Sequence, residues 1–88
     1  MHYYVGIDIA KSFHVAYVVN QDDKTIKSSF KFNNDEDGFS KLLLLLNSID
    51  EVSTFTIGME ATGIFFENPY IYLKEKEFNV ILLNPYQT

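Results

Sequence analysis

Two segments of this 88-residue sequence end alike: Val5-Gly6-Ile7-Asp8 and Ile57-Gly58-Met59-Glu60. In each, an acidic residue stands two positions after a glycine at the end of an apolar run. In a strand, residues two apart share a face. A glycine there clears space beside each carboxylate for a ligand or a backbone. If the two strands lie side by side and parallel, the acids stand roughly 5 Å apart at strand spacing. Carboxylates that close repel when both are ionised, and a divalent cation relieves the repulsion. Oxygen ligands suit Mg²⁺ or Mn²⁺, and Mg²⁺ typically takes one or two carboxylates plus water and substrate phosphate. Two such ions roughly 4 Å apart can activate water on one side of a phosphodiester and stabilise the leaving oxygen on the other. A complete site of that kind needs one or two more carboxylates, expected beyond Thr88. An acid at a strand end is as often a solvated loop start, so the reading rests on the matched pair and not on either residue alone.

Other residues carry weaker signals. Lys11 is a candidate phosphate contact, although a lone lysine in a turn is more often solvated. Thr62-Gly63 can cap a helix whose backbone N–H groups face phosphate, with plain capping the simpler role. His14, at the start of an apolar run, reads as a strand residue and not as a ligand. His2 is close to the terminus. Asp22-Asp23 and Asp35-Glu36-Asp37 read as turn and cap chemistry, and Tyr70 and Tyr72 as partial core.

The elements that must position the two acids follow from apolar periodicity. Strands are predicted at about Tyr3–Asp8, Phe13–Asn20 and Thr25–Phe32, with a polar turn at Asn20-Gln21-Asp22-Asp23. In the third, Ile26, Ser28, Phe30 and Phe32 alternate with Lys27, Ser29 and Lys31, as in a half-exposed or edge strand. Short connections make these three an antiparallel meander. A helix follows with Asn34 as its cap, acids in its first turn, and a stripe of Phe39, Leu42, Leu43 and Leu46. Leu44 and Leu45 widen that stripe, which invites a cover on a second side. A fourth strand is predicted at about Ser53–Met59 and a helical region thereafter to about Lys76. In it Pro69 starts a segment capped by Asn68. A fifth strand, Asn79–Leu83, ends at Asn84-Pro85. The order β-β-β-α-β-α-β gives an α/β mixed sheet, a three-stranded antiparallel meander plus parallel strands, with helices covering the faces.

Composition sets the limits. The length allows one domain or part of one, with modest burial. The hydrophobic share of 47% with 16% aromatics is enough for a packed core and argues against disorder. Without cysteine, disulfides, zinc-thiolate sites and thiol nucleophiles are excluded. That absence fits a reducing cytoplasm, as it fits many secreted proteins. The N-terminus lacks a basic region followed by an apolar one, and Leu42–Leu46 is too short to cross a bilayer. A net charge of −5 repels the phosphate backbone unless metal ions neutralise the acids or basic surface lies elsewhere in a longer chain. The abrupt end at Gln87-Thr88, soon after an apolar run, reads as a piece of a longer chain.

Together these residues resemble a known family. Val5-Gly6-Ile7-Asp8-Ile9-Ala10-Lys11, followed by His14, is similar to the opening of the IS110-type insertion-sequence transposases. Gly58-Met59-Glu60-Ala61-Thr62-Gly63 resembles their second motif, and Leu83-Asn84-Pro85 the tripeptide closing the strand before the next helix. The motifs occur in family order and span nearly the whole chain. The resemblance implies a RuvC-like, ribonuclease-H-like fold with an Asp-Glu-Asp-Asp set binding Mg²⁺ or Mn²⁺. Asp8 matches the first acid and Glu60 the second; the last two have no counterpart here. It implies residues 1–88 as the N-terminal part of that catalytic domain, inactive alone. It further implies DNA and a guide RNA as partners of the full-length protein, action as a homo-oligomer, and a bacterial or archaeal cytoplasm. The family's C-terminal domain with its nucleophilic serine is not represented, so no serine here inherits that role. One departure is Glu77 before Phe78, where the family commonly has a glycine. It forgoes the favourable left-handed cap.

Two other classes compete. ATP-binding domains of the actin and sugar-kinase class also open with an apolar strand ending in G-x-D. Their phosphate-wrapping turn needs glycine and a hydroxyl residue, whereas here Ile9-Ala10-Lys11 follows Asp8 with no glycine. A non-catalytic dimerisation module would use the surplus leucines of the first helix.

Overall fold

A computed structural model describes residues 1–60 and 63–83. Five strands form one sheet: β1 (Tyr3–Asp8), β2 (Phe13–Asn20), β3 (Thr25–Asn33), β4 (Phe55–Glu60) and β5 (Asn79–Leu83). Helix α1 (Glu36–Ile49) joins β3 to a single 3₁₀ turn, Val52–Thr54, that leads into β4, and α2 (Glu67–Glu75) joins β4 to β5. The order across the sheet is β3-β2-β1-β4-β5. β1, β2 and β3 are the expected antiparallel meander, whereas β1–β4 and β4–β5 pair in parallel. This is the mixed sheet read from the apolar pattern, and it is consistent with the ribonuclease-H-like fold that the resemblance implies.

Strands β3, β4 and β5 point the same way, and the chain moves across the sheet in one direction through α1 and then α2. Parallel crossovers are right-handed, so two successive crossovers in one direction place both helices on the same side. The core shows this directly. Phe39, Leu42 and Leu46 of α1 and Leu73 of α2 pack in one cluster with Val5, Ile7, Ala16, Val18, Ile57 and Met59. The helices therefore cover one face, not both. Along β1 and β4, the alternate residues Tyr4, Gly6, Asp8, Thr56, Gly58 and Glu60 stand on the second face, where no helix lies among the described residues. Leu44 of α1 points to solvent at 69% exposure, whereas Leu45 packs partly buried against the core, so of the two surplus leucines only Leu44 lies outside it.

Several local details depart from expectation, each for a physical reason. Asp35, not Asn34, caps α1: its carboxylate accepts the Gly38 N–H at 2.7 Å, while Asn34 is held by His14. Gly38 is needed because the first turn of α1 runs against the backbone of Asn33, which a Cβ would overlap. In β3 the pairing with β2 slips between Ala16 and Val18 and again between Val18 and Val19. These bulges break the alternation, so Ile26 is exposed rather than on the core side with Phe30 and Phe32. Bulges also make an edge strand a poor template for pairing. β4 starts later than expected, because residues 52–54 form the 3₁₀ turn.

In α2, Asn68 is not the cap. Phe66 occupies that position without a side-chain bond, and Pro69 is the third helical residue. A proline is tolerated there because the first four N–H groups of a helix have no intrahelical partner. The helix ends with Glu77 at φ 70°. Glu77 N–H donates to the Lys74 carbonyl and Phe78 N–H to that of Leu73, the paired bonds of a Schellman ending. The chain thus adopts the left-handed cap without glycine. Buried Leu73 and Phe78 supply its apolar contact. Among the described residues no helix is long and apolar enough to cross a membrane.

Candidate metal centre

β1 and β4 are neighbours in the middle of the sheet and run in parallel, with Gly6 opposite Gly58 and Ile7 opposite Met59. The next step in that register sets Asp8 beside Glu60, roughly 5 Å away at strand spacing. The twin glycine-x-acid endings are therefore aligned residue for residue. Val5, Ile7, Ile57 and Met59 point into the core, which sends Gly6, Asp8, Gly58 and Glu60 to the open face. Both acids are solvent-exposed at the C-terminal ends of their strands. Beyond those ends the connections diverge, from β1 toward β2 and from β4 toward α2 and β5. Such a switch point in an α/β sheet leaves a crevice at the carboxyl ends, where ligands commonly bind.

The crevice is a depression of about 510 Å³, lined among others by Asp8, Glu60, Gly58, Tyr17 and Leu83. The two glycines beside the acids differ. Tyr17 pairs directly with Gly6 across β1 and β2, and its ring lies where a Gly6 Cβ would be. The space at Gly6 therefore serves a neighbouring side chain, not a ligand. At Gly58 the nearest atom to a built Cβ is Leu83 Cδ1 at 3.8 Å, so the floor beside Glu60 stays open.

Charge around the pair is sparse. The ion pair recorded among the described residues, Lys41 with Asp37 at 3.3 Å, lies on the surface of α1. No group of three or more histidine, cysteine or acidic residues clusters among the described residues. Two adjacent carboxylates with open space beside them match the one or two protein ligands that Mg²⁺ typically takes, water and phosphate filling the rest. The donor set fits that ion as a partial site.

Of the other candidates, Lys11 is exposed on the loop after Asp8 and does not line the depression. Its carbonyl accepts the Asn34 side-chain N–H at 3.4 Å. Thr62 lies outside the described residues, as do Ala61 of the second motif and Asn84-Pro85. His2 bonds the Thr56 hydroxyl at 2.8 Å at the opposite end of the strands. Tyr70 and Tyr72 pack partly buried against the core, as expected. Sequence reading missed Tyr17. The cue was available, since the hairpin turn puts Tyr17 opposite Gly6, and an aromatic often covers a strand glycine. His14 lies in β2 as read from the sequence, but its complete burial was not anticipated. The sign was a titratable residue in the same phase as Ala16 and Val18.

Residues 5–88 match the profile of the DEDD transposases of the IS110 type. No curated protein matches the sequence. Among solved structures, Archaeoglobus fulgidus Pelota is similar at 21% identity and a TM-score of 0.60, over 92% of this chain and 26% of that one. The ethanolamine utilization protein EutJ from Carboxydothermus hydrogenoformans is similar at 13% identity and a TM-score of 0.50, over 96% and 37%. These likenesses concern the fold alone, and the chain spans well under half the length of either protein.

Proposed function

The chain belongs to the IS110-type DEDD transposase family, and from that premise we propose that it opens a RuvC-like catalytic domain whose metal site begins with Asp8 and Glu60. The carrying observation is the in-register parallel pairing of β1 and β4, which stands two carboxylates side by side on an open face. In this reading Asp8 and Glu60 hold Mg²⁺ or Mn²⁺ as half of a four-acid set completed by residues after Thr88. When bound, the ions supply activated water and charge stabilisation for cutting and joining DNA phosphodiesters. The chain's own part is to hold two anionic oxygens at fixed spacing on rigid strands, with Gly58 leaving room for a phosphate beside Glu60. DNA, a guide RNA and a second copy of the chain are the partners of the full-length protein. Lys11 and Thr62 are phosphate contacts on that larger assembly. The 88 residues alone bind metal weakly and cut nothing.

Isothermal titration with Mn²⁺ tests the assignment. Wild type gives a weak binding isotherm, which Asp8→Asn and Glu60→Gln each abolish while circular dichroism stays native. Titrations indistinguishable between wild type and both variants sink the metal site.

A further inference from the structure

The loop that leaves Asp8 is held by a buried network. His14, the second residue of β2, has no solvent exposure. Its Nδ1 accepts the Ala10 backbone N–H at 3.1 Å, and its Nε2 lies 3.0 Å from Asn34 Oδ1. The amide of Ala10 can only donate, so Nδ1 carries no proton and the neutral ring bears its hydrogen on Nε2. That hydrogen fixes Asn34 with its oxygen toward the ring and its nitrogen toward the Lys11 carbonyl, at 3.4 Å. The Asn34 backbone N–H donates in turn to the Ser12 carbonyl at 3.1 Å. The ring is set edge-on against Phe32, with centroids 5.4 Å apart. Ala10 and Lys11 are thus tied to the side chains of His14 and Asn34, and Ser12 to the Asn34 backbone.

A surface loop of four residues does not need a buried imidazole to close a hairpin. Burying a polar ring costs free energy unless every polar atom is bonded, and here both nitrogens are. We infer that His14, acting with Asn34, is a positioning residue for the site: it sets the path of Ile9–Ser12 and so the direction of the Asp8 carboxylate and the stance of Lys11. The inference rests on the metal reading of Asp8, but its first test does not.

Nuclear magnetic resonance of the metal-free chain is that test. Wild type shows an unprotonated Nδ1 and a protonated Nε2 on His14, with a slowly exchanging Ala10 amide. His14→Phe keeps the shape and removes both bonds. It speeds Ala10 exchange at least tenfold and shifts the Asp8 carboxyl carbon at a temperature where both proteins are folded. His14→Asn, whose side-chain oxygen can replace Nδ1 toward Ala10, restores most of both signals. A generic packing role would lower the melting temperature and leave the Asp8 signal in place. With Mn²⁺ added, His14→Phe weakens binding about tenfold, the low end for losing a residue that orients a ligand, and His14→Asn recovers it. If His14→Phe does not fold, Asn34→Ala carries the test, with faster Ala10 exchange and a shifted Asp8 carboxyl expected. Unchanged Ala10 exchange and Asp8 shift in a folded variant overturn the inference. Failure of wild type to bind Mn²⁺ removes the metal reading and leaves the positioning decided by the metal-free signals.

Discussion

The two faces of the sheet divide the work between them. On the covered face, alternate residues of β1, β2 and β4 pack with Phe39, Leu42, Leu46, Leu73 and Phe78 into a single apolar cluster. On the other, the same strands present two glycines, two acids and the half-exposed Tyr4 and Tyr17. Both arise from one period-2 pattern read from opposite sides. The difference teaches that stability and candidate chemistry are nearly separable here. Substitution on one face should register as unfolding, and on the other as changed binding with the fold intact.

The largest effect expected on that comparison is at Phe55, buried between Tyr3 and Phe78. Phe55→Ala should cost about 3–5 kcal/mol, enough to unfold a chain this short. Tyr17→Ala on the open face should cost less than about 1 kcal/mol, since half its surface is already in water. Urea denaturation followed by circular dichroism measures both, and equal costs would break the division. The two glycines sharpen it next. Gly6→Ala forces Tyr17 off β1 and should destabilise by about 1 kcal/mol, the low end for overpacking, because a half-exposed ring can swing away. In a Tyr17→Ala background the same change should become neutral or stabilising. Gly58→Ala meets no close atom and should stabilise by about 0.5–1 kcal/mol, the usual gain from replacing a strand glycine. A last change, of similar size, lies at the rim of the covered side. Glu77→Gly relieves a left-handed φ of 70° and should raise stability by about 1 kcal/mol, read as a higher melting temperature with Mn²⁺ binding unchanged.

Much of this arrangement is legible in the sequence where a feature depends on one stretch of chain. Alternation announces β1 and β2, the polar runs at 20–23 and 33–37 announce a turn and a helix start, and the twin endings at Asp8 and Glu60 announce their own kinship. What escapes depends on partners brought from elsewhere. Asn34 looks as good a cap as Asp35 until His14 claims its side chain. Ile26 looks like core until two slips in the β2–β3 register turn it outward. Gly6 looks like clearance for a ligand until Tyr17 occupies it. The placement of both helices on one face was within reach, because two right-handed crossovers in one direction allow nothing else. It required the strand order, which periodicity does not give.

The pairing of β1 with β4 also orders events in time. β1, β2 and β3 are joined by short loops and can zip as local hairpins, whereas β1 meets β4 only after the chain has closed a loop containing β2, β3 and α1. Closure of that length carries its entropy cost before any contact rewards it. Asp8 and Glu60 therefore become neighbours only through the longest loop closure between paired strands, and the meander by itself has one acid and no site. On the proposed reading a divalent ion acts as a latch on completed folding: it binds the closed topology alone and deepens that state without aiding any earlier one.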